Sequence, residues 1–357
     1  MAAEGKKEIS RRRSLLGFGL RAVCFLLICI LAMDYTLYVL TPKYDYGICS
    51  MVNYYFQPRD TVDVLVLGTS LAYSGVNTSL LWRDYGLAVY DLCGAEMPYW
   101  AIYYCLEEAL KTQTPGLILL DAKPSVYSLP YSKKERVILS TYGIMSPVNR
   151  IRAIIASSHP DNVPSFVLGF PRVHNRYSEV TAEDFRIPTT NGGRGPTWKG
   201  FMETVGTDWF PVPEVKKEDE VKPLQEKQQY YYEKILQTAK DHGIQLVLVG
   251  FPTPDYAYDH PYYRATAEIA AEYGFSFWNF NEPGALEGLD YETHFADWQH
   301  LNTEGNQILS RELGQRIRDT FTLPDRRGQK RWASWERESN RWYSLYAAWK
   351  AAQEEDE

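Results

Sequence analysis

The chain has 357 residues, 45% of them hydrophobic and 23% charged, with a formal net charge of −7. That length holds one large domain or two small ones, and an acidic chain without a basic stripe argues against a nucleic-acid partner. Five cysteines without Cys-x-x-Cys spacing give no zinc site or disulfide framework.

Residues 1–13 form a basic tail, with Lys6, Lys7, Arg11, Arg12 and Arg13 against Glu4 and Glu8. The run 14–40 is largely apolar, and Ala22 to Leu40 alone approaches the thickness of a bilayer core. The basic flank places the N-terminus in the cytoplasm. The exit Asp34-Tyr35-Thr36-Leu37-Tyr38 lacks the small residues of a signal-peptide cleavage site. The expectation is therefore an uncleaved single-pass membrane anchor, with Asp34 near its outer surface and everything after Thr41 outside. Residues 41–61, with tyrosines and a proline, read as a stalk or the first layer of a domain.

Val62 to Leu67 is apolar but for Asp63 and reads as a buried strand, broken by Gly68. Ser70 follows on the turn into a helix expected over about 75–84. Two further strands are expected at Ala88–Cys93, ending at Gly94, and at Gly116–Leu120, with a helix over about 98–112 between them. From 125 to 222 the regular alternation is lost. Short helices are expected near 132–140 and 147–157, and the remainder, including the glycine-rich 191–196, reads as a lid, a substrate-binding insertion or a packing excursion. A long helix from 223 to 242 restores the rhythm. It is followed by a strand over 244–249, a helix over 261–273 and a strand over 275–280. Thr303 to Asp319 carries Ile308, Leu309, Leu313 and Ile317 at helical spacing, with Asn302 or Thr303 as cap. Strands alternating with helices predict a three-layer α/β/α domain over 62–323 on a five-stranded parallel sheet. The tail 324–357 carries Trp332, Trp335, Trp342 and Trp349. It fits a helix resting on the domain, on the bilayer or on a partner.

Two stretches carry chemistry. Ser70 sits at the carboxyl edge of the first strand, where open α/β folds bind ligands. Asp297 stands three residues ahead of His300, a spacing that lets a carboxylate hold imidazole Nδ1 and leave Nε2 free to take a serine proton. Alone, each has a bland explanation: a simple turn, and a helix-capping pair. Together, Gly68-Thr69-Ser70 after the first strand and Asp297-x-x-His300 before the last helix resemble the SGNH (GDSL) hydrolase superfamily.

The resemblance implies a flavodoxin-like strand order, with Ser70 as nucleophile, His300 as base and Asp297 as its orienting carboxylate. The amides of Ser70 and Gly94 are then the oxyanion donors. The chain departs from that pattern at Leu120-Asp121-Ala122-Lys123-Pro124, where the third block's asparagine is missing, and at Thr69, where the first block has an aspartate. The anchored layout resembles the alginate O-acetylation and D-alanyl-lipoteichoic acid biosynthesis proteins. This implies an extracytoplasmic serine-dependent O-acyltransferase or esterase acting on a cell-envelope polysaccharide beside a multi-span membrane acyltransferase. His174 and Arg176, in a segment similar to one in those relatives, are candidate substrate-binding residues. The other reading is a non-catalytic assembly partner that docks such an acyltransferase through the tryptophan-rich tail or Asp34. Neither reading calls for a metal or organic cofactor, because Asp121, Asp297 and His300 lack metal-site spacing.

Overall fold

In the computed structural model of the chain, the described residues are 2–42, 47–185, 198–215 and 221–356. The glycine-rich stretch 191–196 lies outside them. The chain divides into two compact units, Met1–Lys43 with Pro164–Arg186, and Tyr44–Val163 with Ile187–Glu357.

The first unit is built on helix α1 (Ala2–Leu40), whose Gly17–Leu40 portion is long and apolar enough to cross a membrane. A helix end leaves its last carbonyls without intrahelical donors. Here Arg176 Nη1 donates to Val39 O at 3.1 Å and to Thr41 O at 3.4 Å, while Nη2 pairs with Asp184 at 2.9 Å. Asp184 in turn accepts from the Thr181 amide at 2.9 Å.

The second unit carries the sheet: β1 (Val64–Gly68), β2 (Val89–Cys93), β3 (Leu117–Asp121), β4 (Gln245–Gly250) and β5 (Ser276–Asn279). All neighbours pair in parallel in the order β2-β1-β3-β4-β5, as the sequence predicts. Strand residues alternate between the two faces. Leu65, Leu67, Ile118, Leu120 and Leu248 pack in one core with Ile102, Ile235 and Tyr263. These come from α5 (Tyr99–Ala109), α10 (Glu226–Asp241) and α11 (Tyr256–Glu272). Val64, Val66, Leu119 and Val247 pack in the other core with Ala72, Leu81, Leu309 and Leu313. Those belong to α3 (Ser70–Gly75), α4 (Thr78–Tyr85) and α12 (Thr303–Thr320). Burial on both sides explains why the strands read as continuous apolar runs.

Three local expectations change. The helix expected over 75–84 starts at Ser70 and is interrupted at Val76–Asn77, because Asn77 turns its side chain back to accept from the Leu80 amide at 3.0 Å. Helix α11 begins at Tyr256 and holds Pro261 in its interior, since Tyr256, Asp259 and Tyr263 form one buried stripe. The stretch after Gly47 contains α2 (Ile48–Tyr55), whose Ile48, Met51 and Tyr54 are buried, so it is a layer of the domain. Between β3 and β4 lie α6 (Lys134–Thr141), α7 (Pro147–Ser157), α8 (Val163–Leu168) and α9 (Phe170–Val173). The tail forms α13 (Ala333–Asp356) and rests on its own domain. Trp332 and Trp335 donate to Thr61 O and Val89 O at 2.8 and 3.2 Å, and Glu336 accepts from Trp82 Nε1 at 2.8 Å.

Candidate active site

Both chemistry-bearing stretches sit at the carboxyl ends of the strands, and each is held in its own way. Gly68 gives more than a strand break. A Cβ there would lie 2.4 Å from the Asp121 Cβ, so the absent side chain lets Asp121 approach. Asp121 is fully buried, and its Oδ2 accepts from the Thr69 amide at 2.9 Å and hydroxyl at 2.5 Å. Its Oδ1 accepts from the Lys123 amide at 2.8 Å. Thr69 Oγ1 also accepts from the Leu71 amide at 3.3 Å, capping α3 with Ser70 as its first residue. Burial raises the Asp121 carboxyl above the ordinary range, against the lowering effect of these hydrogen bonds and of Lys123. The two departures from the superfamily pattern, Thr69 and Asp121, are thus hydrogen-bonded to each other.

The second stretch is a hairpin-like loop before α12. Phe295 is buried and bridges both Leu301 and Asp208, and the Ala296 amide donates to His300 O at 2.9 Å. Asn302 caps α12 by accepting from the Glu304 and Gly305 amides at 3.2 and 3.0 Å. Its Nδ2 ties the loop to Thr293 O at 2.8 Å and to Gly206 O at 3.1 Å. The final part of the insertion therefore props this loop.

Within the loop, Asp297 holds the imidazole as its spacing suggests. His300 Nδ1 lies 2.9 and 2.8 Å from the two Asp297 oxygens, and the amides of Gln299 and His300 donate to the same carboxylate at 2.8 and 3.0 Å. Partial burial pushes the Asp297 carboxyl upward, but the hydrogen bonds from the His300 ring and these amides outweigh it, and the group titrates below its ordinary range. A carboxylate on Nδ1 puts the imidazole proton there, which leaves Nε2 with a lone pair. Nε2 is buried and has no hydrogen-bond partner among the described residues. The Ser70–His300 hydrogen bond is therefore not formed here.

A cavity of about 570 Å³ joins the two stretches, lined by Ser70 on one side and by Trp298 and Gln299 on another. Trp100, Tyr127, Tyr131 and Tyr258 give it aromatic walls, and Lys133 and Arg136, which share Glu96 at 2.9 and 3.2 Å, give it a cationic edge. The segment 126–136 of the expected insertion contributes to this wall.

Other expectations fare differently. The Gly94 amide donates to Gly68 O at 3.1 Å, extending the β1–β2 ladder, so it is not free to meet an oxyanion in this structure. His174 and Arg176 belong to the first compact unit, and Ser70 to the second. Arg176 is spent on the end of α1, and the His174 ring lies beside Phe170, with centroids 5.8 Å apart.

The sequence reading also missed a buried ion pair. Lys123 Nζ lies 2.7 and 3.0 Å from the Asp259 oxygens, both side chains are buried, and Lys123 lines the cavity. Burial raises Asp259 to about 6 against the pull of Lys123. A signal was present: Asp259 falls on the helical stripe of Tyr256 and Tyr263, where an acidic residue needs a partner. Among the described residues no cluster of three or more His, Cys, Asp or Glu is placed to hold a metal ion.

No protein-family model and no curated protein sequence matches the chain. Among solved structures, a gut microbial diltiazem-metabolizing enzyme is similar over 72% of this chain, with 12% sequence identity and a TM-score of 0.28. The aligned region spans 47% of that enzyme, about half its length.

Proposed function

We propose that the chain is a membrane-anchored SGNH-type serine enzyme that transfers or hydrolyses acyl esters on a cell-envelope glycan outside the cytoplasm. The observation that carries this reading is the Asp297–His300 pair, with Nε2 left unpartnered in a loop that lines the same cavity as Ser70. In the proposed reaction Ser70 Oγ attacks the acyl carbonyl as its proton passes to His300 Nε2. The ester's alcohol leaves with that proton, and an acyl-serine remains. Water or a sugar hydroxyl, deprotonated by the same nitrogen, then attacks the acyl-serine and returns Ser70. Closure of the loop onto Ser70 is required, since their hydrogen bond is open here. The Ser70 amide, at the first position of α3, is an oxyanion donor in this scheme.

A fluorophosphonate serine probe on the full-length protein in detergent tests the reading. Wild type is expected to label, and Ser70→Ala to lose the label completely. A folded wild type that stays unlabelled would overturn it.

The open Ser70–His300 gap and the engaged Gly94 amide favour a second reading, a non-catalytic partner of a multi-span membrane acyltransferase. The burial of Trp332, Trp335 and Trp342 takes those side chains away from such docking. This reading predicts an unlabelled wild type that co-purifies with such an enzyme.

A further inference from the structure

Helix α1 changes its surroundings abruptly along its length. From Phe18 to Thr36 every residue is exposed apart from half-buried Ala22, and from Leu37 to Thr41 every residue is half-buried or buried. At 1.5 Å per residue the bare stretch measures about 28 Å, close to the thickness of a bilayer's hydrocarbon core. Phe25, Ile28 and Leu31 are each more than half exposed on it, so the described residues leave this apolar surface uncovered. The grip on the end of the helix comes from residues 164–185 of the same compact unit. The corner between α8 and α9 closes on Leu37 at Gly169, which has a φ of +70°. A Cβ at Gly169 would lie 2.7 Å from the Leu37 methyls, so the missing side chain permits the approach. Tyr35 OH donates to Phe185 O at 3.4 Å, and the Arg176 bonds to Val39 O and Thr41 O complete the grip. This collar therefore meets α1 where the bare stretch ends.

The collar itself presents apolar side chains. Phe166 and Val173 are buried, but Val167, Leu168, Phe170, Tyr177 and Phe185 are 40% to 75% exposed. Exposed apolar surface of this kind marks an interaction site. Its position says what covers it. A collar fixed to the end of a bilayer-length helix lies at the boundary between acyl chains and headgroups, a level that aromatic side chains favour. Arg172 and Arg176 stand against Glu179, Glu183 and Asp184 in this segment, so it has no excess of positive charge. Burial of apolar surface, rather than attraction to anionic headgroups, then supplies the affinity.

We infer that the collar 164–185 inserts into the outer headgroup–acyl boundary of the membrane that α1 crosses, seating Leu168, Phe170, Tyr177 and Phe185 in lipid. The chain then holds the bilayer twice, by a spanning helix and by a shallow collar that sets the depth and tilt of that helix. The inference rests on the membrane anchor of the reading above and is independent of Ser70.

The test is the depth of single nitroxide labels on the full-length protein in phosphatidylcholine nanodiscs. Cys24→Ala and Cys29→Ala remove the exposed native thiols, while Cys49, Cys93 and Cys105 are buried and stay in place. Leu27→Cys, in the bare stretch, reads the anchor, and Leu168→Cys and Phe185→Cys read the collar. Oxygen concentrates in lipid and a nickel chelate stays in water, so their relative collision rates with each label report its depth. The label at 27 is expected to meet oxygen several-fold more often than the chelate. The labels at 168 and 185 are expected to meet oxygen more often too, by a smaller factor that places them nearer the surface. A label at 27 in lipid with both collar labels open to the chelate overturns the collar and keeps the anchor. Collar labels shielded from both reagents mean that a second copy of the chain covers this face, which overturns the bilayer as its occupant. A label at 27 open to the chelate overturns the anchor, and the collar with it. None of these readouts depends on Ser70, so failure of the serine chemistry is seen separately, by fluorophosphonate labelling.

Discussion

The Ser70 turn and the 297–300 loop meet one cavity, yet they are anchored by different means. The turn is tied to the sheet through Asp121, a fully buried carboxylate that serves Thr69 and Lys123 from the neighbouring strand. The loop is held mainly by bonds within itself and to the insertion, and its Trp298 is 56% exposed. Ser70 thus stands on a turn fixed to the sheet, and His300 on a locally braced loop. On the serine reading proposed above, the turn would fix where the acyl group must come, and the loop would supply the movement that brings Nε2 to Ser70.

The sharpest way to break this division is to damage the loop's chemistry without touching its fold. Asp297→Asn keeps the shape and can still accept from the two amides, but it no longer enforces the proton on Nδ1. Fluorophosphonate labelling of Ser70 is expected to slow by about 10³- to 10⁴-fold, the scale of a mis-set imidazole tautomer. Thermal stability should move little, as the pair is partly exposed. Slow labelling accompanied by a large loss of stability would mean that the loop is structural and the comparison mistaken.

The reverse pattern is expected at the turn. Asp121→Ala removes three hydrogen bonds and leaves the buried Thr69 and Lys123 amides without acceptors. About 3 kcal/mol of stability is expected to go, read as a lower denaturant midpoint, with labelling lost as Ser70 shifts. Asn302→Ala tests the loop's brace. It removes the cap of α12 and the ties to Thr293 and Gly206, for a loss of about 2 kcal/mol. Because Asp297 and His300 keep their own pairing, labelling is expected to slow less than tenfold.

The sheet was legible because its strands are buried on both faces and so read as apolar runs alternating with helices, while its order came from the family resemblance. The Asp297–His300 pairing and the Ser70 turn were legible because their neighbours in sequence supply most of the local geometry: Gly68 clears the turn, and three residues suffice to fold a carboxylate onto an imidazole. What stayed hidden depends on contacts distant in sequence. Thr69 and Asp121 are far apart in the chain, and each looks like a defect until both are seen together. The same holds for Lys123 with Asp259. The engagement of the Gly94 amide with Gly68 O was hidden as well, because a resemblance in sequence cannot say whether a strand-end N–H continues the ladder. The bonds of Arg176 to the end of α1 were hidden too, because no local motif signals them.

The smallest expected effect draws on the opposite electrostatics of the two carboxylates. Asp297 titrates below its ordinary range when folded, so its contribution to stability is present above the unfolded value and is lost as pH falls through the folded one. Asp121 titrates above its ordinary range, so folding disfavours its charged form, and that penalty is relieved as pH falls through its folded value. Acidification therefore relieves strain at the turn before it loosens the loop. Melting temperatures followed from pH 7 to pH 3 on wild type and Asp297→Asn read the difference directly. The wild-type advantage is expected to be steady near neutrality and to disappear only below the ordinary carboxylate range. An advantage that instead vanished between pH 7 and pH 5 would put the Asp297 carboxyl above its ordinary range. The carboxylate could then no longer be what holds the proton on His300 Nδ1, and both halves of the site would owe their order to the sheet.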